Sequence, residues 1–166
     1  MARSKNLMLL SPALLRLERF WIESLQVRTE EAWSPPSAPA EVDVAGGSEY
    51  LVSEDSRHIL IRLSLKSGGK TGEGGPYHFE TTIVGKFSLE DEVPEDQRHR
   101  LIYINGTAIL YGVARGVVAT VTGMGRHGPI HLPSINFTEL AERPPRPRKR
   151  ATGSRQTRSK VTAYKG

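Results

Sequence analysis

At 166 residues and 18.3 kDa the chain is long enough for a single domain to bury a core without staples. It contains no cysteine, which excludes disulfide frameworks, thiol nucleophiles and cysteine-ligated zinc or iron–sulfur centres, and fits a reducing cytosol. The net charge of +5 conceals two opposite parts: residues 1–142 carry 14 basic and 18 acidic side chains, a net −4, whereas residues 143–166 carry 9 basic and no acidic ones.

The amino terminus has the outline of a signal peptide, with Arg3 and Lys5 ahead of Leu7-Met-Leu-Leu10. Ser11 and Pro12 break the apolar run, Arg16 follows, and no small-x-small cleavage site comes after it. Nowhere do about 18 uninterrupted apolar residues occur, so the expectation is a soluble, cytoplasmic protein with no membrane insertion.

Arg19 to Arg28 reads as a strand, with Trp21 facing away from Phe20 and Ile22, and with Leu25 and Val27 continuing one face at period two. The Pro/Ser/Ala-rich stretch Trp33 to Ala40 is a crossing loop or an edge, because proline donates nothing to a ladder. Glu41 to Val44 is a short extended piece. Arg57 to Lys66 alternates cleanly, with Ile59, Ile61, Leu63 and Leu65 on one side and mainly polar residues on the other. That pattern belongs to a sheet covered on one face. Ser67 to Pro76 is glycine-rich and reads as a hairpin connection. It leads into a strand from Tyr77 to Leu89, where Tyr77, Phe79, Thr81, Ile83, Gly85, Phe87 and Leu89 share a face.

Pro94 and the acids after it suit a helix start, and the apolar segment from Arg98 to about Thr122 is too long for a strand. Gly106, Gly112 and Gly116 lower its helix propensity by about 1 kcal/mol each, so something must compensate. Asn105, Ala108, Gly112, Gly116 (or Arg115) and Ala119 recur at spacings of three and four, a small-residue stripe that admits a second backbone. Gly123 to Pro129 ends the helix. Asn136 to Glu142 is a short second helix, capped by Asn136 or Ser134.

No catalytic constellation emerges. Ser67-Gly-Gly-Lys-Thr71 evokes a phosphate-binding loop, but the motif's first glycine would be Ser64 and no helix follows. His127 and His131 are separated by Gly128 and Pro129, so no helix sets them on one face for a metal. No cofactor is implied. The tail from Arg143 is proline-interrupted, lacks apolar periodicity and is expected to be disordered. Its charge suits nucleic acid or anionic lipid; the plainer role is a solubilising tail.

Ile109-Leu-Tyr-Gly-Val-Ala-Arg115, followed by Leu132-Pro-Ser-Ile-Asn-Phe137, resembles the SecB family of export chaperones, which carry an ILFPYAR-like helix start and an L-x-P-[VI]-N-F element about twenty residues on. Glu80 to Leu89 is similar to the family's third strand and Arg19 to Val27 to its first; the resemblance runs from about Leu17 to Leu140. Gly112 replaces the family's proline and Gly116 the acid of its YARE sequence. The acidic positions that help bind the SecA motor fall on Ser24 and Arg28, with only Glu80 retained, and the basic tail departs from the family's acidic character.

The resemblance implies an α+β fold: a four-stranded antiparallel sheet with one long helix and a short C-terminal helix packed on one side. It divides the chain into an extension (1–16), a SecB-like chaperone domain (17–142) and the basic tail (143–166). It implies a non-enzymatic, ATP-independent holdase, assembled as a dimer of dimers, whose partners are unfolded preproteins or an antitoxin, with SecA as a receiving motor. Phe20, Trp21, Tyr77 and Phe79 are the candidate client-binding aromatics and Glu80 the SecA contact. Ala108, Gly112, Gly116 and Ala119 are the candidate oligomer interface. The competing reading is a nucleic-acid-binding module acting through the tail.

Overall fold

A computed structural model describes residues 13–35, 42–68, 75–91 and 93–141. Four strands form its scaffold: β1 (Leu15–Thr29), β2 (Val44–Val52), β3 (His58–Ser67) and β4 (Tyr77–Leu89). They make one antiparallel sheet of order β1-β4-β3-β2, so the chain passes from one edge to the other between its first two strands. Helix α1 (Glu95–Leu101) runs through a π-helical turn (Ile102–Gly106) into α2 (Thr107–Gly123), and α3 (Phe137–Ala141) closes the described part. The basic tail lies outside the described residues, as does most of the 1–16 extension; Leu15 and Arg16 of that extension already belong to β1, with Leu15 buried.

The core lies between the sheet and α2. All of the expected β4 face, Tyr77 through Leu89 at period two, is buried, as are Ile59, Ile61, Leu63 and Leu65 of β3. Thr107, Leu110, Tyr111, Ala114, Val118 and Thr122 form the stripe of α2 that covers them, at the spacing of one helical face. The layers meet closely at two glycines. A Cβ at Gly106 would collide with Ile61, and one at Gly85 would sit 2.7 Å from both Leu110 and Phe87. Gly106 is therefore a packing requirement, which offsets its poor helix propensity.

Four sequence expectations are corrected. The second strand is Val44–Val52, not Glu41 to Val44; Gly46, Gly47, Ser48 and Glu49 hid it because such residues are poor strand formers in isolation. Consequently Glu80 to Leu89, expected as a third strand, is part of the fourth. The long helix begins at Glu95, directly after Pro94, but it is not continuous: the π turn interrupts it. Finally, β1 carries two bulges, between Leu17 and Arg19 and between Ile22 and Ser24. The second resets the alternation, so Leu25 and Val27 share the helix-facing side with Phe20 and Ile22.

By length and composition the 29-residue helical run Glu95–Gly123 is apolar enough to cross a bilayer, although no uninterrupted apolar stretch spans it; here one face of it packs on the sheet.

Candidate functional site

The sheet and helix layers do not close completely along β2. An open cavity of about 290 Å³ lies there, with Val44 and Gly46 of β2 and Leu63 and Leu65 of β3 as its floor. Tyr103 and Tyr111 form the helical wall, and Ile135 and Phe137 the far rim. The lining is mostly apolar, at the small end of the range for ligand sites.

Hydrogen bonds hold the aromatic walls. Tyr111 donates its phenolic proton to Pro133 O at 2.7 Å and meets Phe137 edge-on, ring centroids 5.4 Å apart. This contact straps the Leu132–Phe137 segment to the helix, and Asn136 caps α3 by accepting from Thr138 N at 3.1 Å. At the other end Tyr50 is hydrogen-bonded to His99 Nδ1, and the His99 ring stacks on Tyr103. Burial pushes both the Tyr50 and Tyr111 phenols above their ordinary range, which keeps them protonated near neutral pH. Ser48 and Thr107 link strand to helix beside the groove, hydroxyl to hydroxyl at 3.1 Å.

The predicted aromatics are not gathered into this site. Tyr77 and Phe79 are 1% and 3% exposed and belong to the protomer's core. Tyr77 donates to Thr122 O at 3.1 Å and accepts from His127 N at 3.0 Å, tying β4 to the end of α2. Phe20 and Trp21, at 44% and 37%, are exposed at the opposite edge of the sheet. Phe20 is on the helix-facing side of β1, and Trp21 on the outer side with the Arg19 guanidinium 5.3 Å from its ring centre. Tyr103, Tyr111 and Phe137 were missed as site residues. Their signal was present: two tyrosines at a spacing of eight in the long helix, and a phenylalanine at the start of the short helix, just after Pro133 and Ile135.

The outer face of the sheet is charged. Glu18 and Glu23, at the two bulges of β1, project there and pair with Lys86, at 2.8 Å, and Arg62. The Lys86 ammonium holds the Glu18 carboxyl below its ordinary pKa, and His78 does the same for Glu30. Glu80 is exposed on this face, opposite Gln26 on β1 and Lys66 on β3. Ser24 and Arg28 flank Gln26 on the same face, so the three positions singled out for a motor contact form one patch.

Ser53, Asp55 and His58 do meet, in the β2–β3 turn. Ser53 Oγ donates to the Asp55 carboxylate rather than to the imidazole, and Asp55 lies 3.2 Å from His58 Nδ1. The hydroxyl therefore has no imidazole partner, and the trio holds a turn in which Ser56 has φ 58°. Hydrogen bonds from Ser53 and the Arg57 amide keep the Asp55 carboxyl well below the usual range. Among the described residues no cluster of three His, Asp or Glu is placed to hold a metal.

The candidate interface residues are on the side of α2 turned away from the sheet. Gly112 and Gly116 are exposed, and a Cβ at either would touch nothing within 4 Å; Ala108 and Ala119 are half-buried. The stripe does not face the protomer's own sheet.

A one-sided antiparallel sheet, a long interrupted helix across it and an aromatic groove at the β2 edge define a SecB-like α+β module. The family model "Preprotein translocase subunit SecB" matches residues 23–144, and the chain belongs to that family. The protein-export protein SecB of Acidithiobacillus ferrooxidans is 27% identical over 132 residues, covering 77% of this chain and 87% of its own. That of the Wolbachia of Brugia malayi is 33% identical over 109 residues, covering 62% and 65%. Among solved structures, the SecB-like chaperone of Mycobacterium tuberculosis, in complex with a peptide from an antitoxin, superposes with a TM-score of 0.53 at 16% identity. The match covers 73% of this chain and 90% of that one. This likeness concerns the fold.

Proposed function

We propose that the protein is an ATP-independent holdase that receives unfolded polypeptide, a preprotein or an antitoxin segment, in the groove beside β2 and keeps it soluble or export-competent. The observation that carries this reading is the aromatic groove running along an edge strand in a chain of the SecB family. An extended segment laid there has main-chain partners on β2 and apolar pockets for alternate side chains, which gives affinity without demanding one sequence. The test is suppression of aggregation of a reduced, denatured client at stoichiometric ratio without nucleotide. Protection is expected, and Tyr103→Ser should raise the amount of protein needed about tenfold, the effect of losing one buried aromatic anchor. No protection by the unaltered chain overturns the proposal.

Two extensions complete it. The outward stripe of α2 supports pairing of protomers into a homotetramer, and Glu80 supports a contact with SecA during hand-off. Both are tested below.

A further inference from the structure

Resting on that reading of the groove, we infer that a client segment docks by adding a strand to the free edge of β2 in one parity. Its groove-facing residues stand opposite those of β2, and a large apolar side chain sits opposite Gly46. The parity follows from two hydrogen bonds just outside the ends of β2. Ser53 N donates to His58 O at 2.9 Å, and Gly68 N donates to Asp43 O at 3.1 Å. Both pairs continue the β2–β3 register, which runs from Val44↔Ser67 to Val52↔Ile59 without a shift. In an antiparallel ladder, hydrogen-bonded pairs alternate with pairs whose backbone groups point away. Counting inward from either end, Ala45, Gly47, Glu49 and Leu51 bond to β3. Val44, Gly46, Ser48, Tyr50 and Val52 aim their N–H and C=O groups at the open edge of the sheet.

The residues with free edge groups are the ones that face the helix layer: Val44, Gly46 and Ser48 line the groove, and Tyr50 bonds to His99 at its end. A strand added here turns the residue directly opposite each of them to the same face, into the groove. Gly46 leaves the middle of that row bare, and no side chain could replace it. A Cβ there would lie 2.5 Å from Leu65 Cδ2 and 2.6 Å from the Ser64 carbonyl oxygen. A client side chain opposite Gly46 meets the open cavity between Leu65 and the walls of Tyr103 and Tyr111. The edge is left ready for pairing. Val44–Val52 contains no proline, lysine or bulge, the devices that blunt edges, and its one charge, Glu49, is on the outer face with Arg62. A second copy of β2 is the poorer occupant. Tyr50, the strand's one aromatic residue, is engaged by His99, which leaves only glycine, serine and valine on its groove-facing side to offer the seat.

The experiment is amide hydrogen exchange of the full chain by NMR, alone and saturated with reduced, carboxymethylated α-lactalbumin, a permanently unfolded chain. Alone, Gly46 and Ser48 should exchange at least about tenfold faster than Gly47 and Glu49. Client should slow Gly46 and Ser48 by about tenfold or more and leave Gly47 and Glu49 nearly unchanged. A fluorescent peptide as long as β2, with valine alternating with threonine around one central phenylalanine, tests the pairing from the client's side. N-methylation of alternate residues should weaken its binding about tenfold, and of those between them less than about twofold. Loss at the phenylalanine and valines makes the added strand antiparallel to β2; loss at the threonines makes it parallel. Client binding that leaves Gly46 and Ser48 exchanging fast, or a peptide indifferent to where it is methylated, overturns strand addition and leaves the groove as the client site. Protection of the same amides that rises with protein concentration in the absence of client puts a second copy at the edge and also overturns it. If neither the unfolded chain nor the peptide binds, the holdase reading falls and this inference with it.

Discussion

Tyr77 illustrates how one hydroxyl can decide whether an aromatic residue belongs to a core or a surface. Its ring fills the space under the end of α2, and its oxygen joins Thr122 O to the His127 amide. Thr122 O keeps a second donor in the Gly125 amide at 2.9 Å, so removing the hydroxyl chiefly strands His127 N. Tyr77→Phe should therefore cost about 1–3 kcal/mol of stability by denaturant titration, with client affinity per folded molecule unchanged. A loss of affinity at full foldedness would return Tyr77 to the client site. Glu80 is the opposite case, a carboxylate exposed on the outer face and remote from the core. Glu80→Lys should weaken SecA binding and spare client protection, read by titration against immobilised SecA; unchanged SecA affinity removes that contact.

At the scale of elements, legibility followed the regularity of the pattern. β3 and β4 could be read from sequence because β3 alternates without interruption and β4 keeps one face apolar at period two, although Thr82 and Val84 on its other face are buried as well. β1 was found but its facing was only half readable. A bulge is a one-residue insertion with no sequence mark of its own, and it is the bulge at Ile22/Ser24 that brings Leu25 and Val27 to the helix side. β2 escaped because an edge strand of Gly46, Gly47 and Ser48 owes its conformation to pairing with Ser64 and Leu65 rather than to intrinsic preference. The groove depends on that strand and on the π turn carrying Tyr103, so the site was less legible than the fold. The cap of α3, by contrast, was legible to within two candidates, Asn136 or Ser134, and it is Asn136 that accepts from the amide two positions on.

For the whole molecule the unresolved cost is that of the glycines on α2. Gly106 is offset inside the protomer by its close approach to Ile61. Gly112 and Gly116 are not: both face outward and neither has a neighbour that a side chain would disturb. Together they forgo about 2 kcal/mol of helix propensity with no return in the isolated chain. A contact beyond the protomer supplies the return if two such helices cross at the stripe, where the absence of side chains at Gly112 and Gly116 and the small ones at Ala108 and Ala119 allow backbones to approach. The prediction is an assembly of about four chains of 18.3 kDa for the unaltered protein. Gly112→Leu/Gly116→Leu should fold at least as well, with raised helicity by circular dichroism, because each new side chain meets open space in the protomer. The same side chains would wedge the crossing helices apart and leave dimers. Light scattering reads the outcome directly: half the mass with the fold intact assigns the stripe to the contact between dimers, whereas an undisturbed tetramer removes it from the interface.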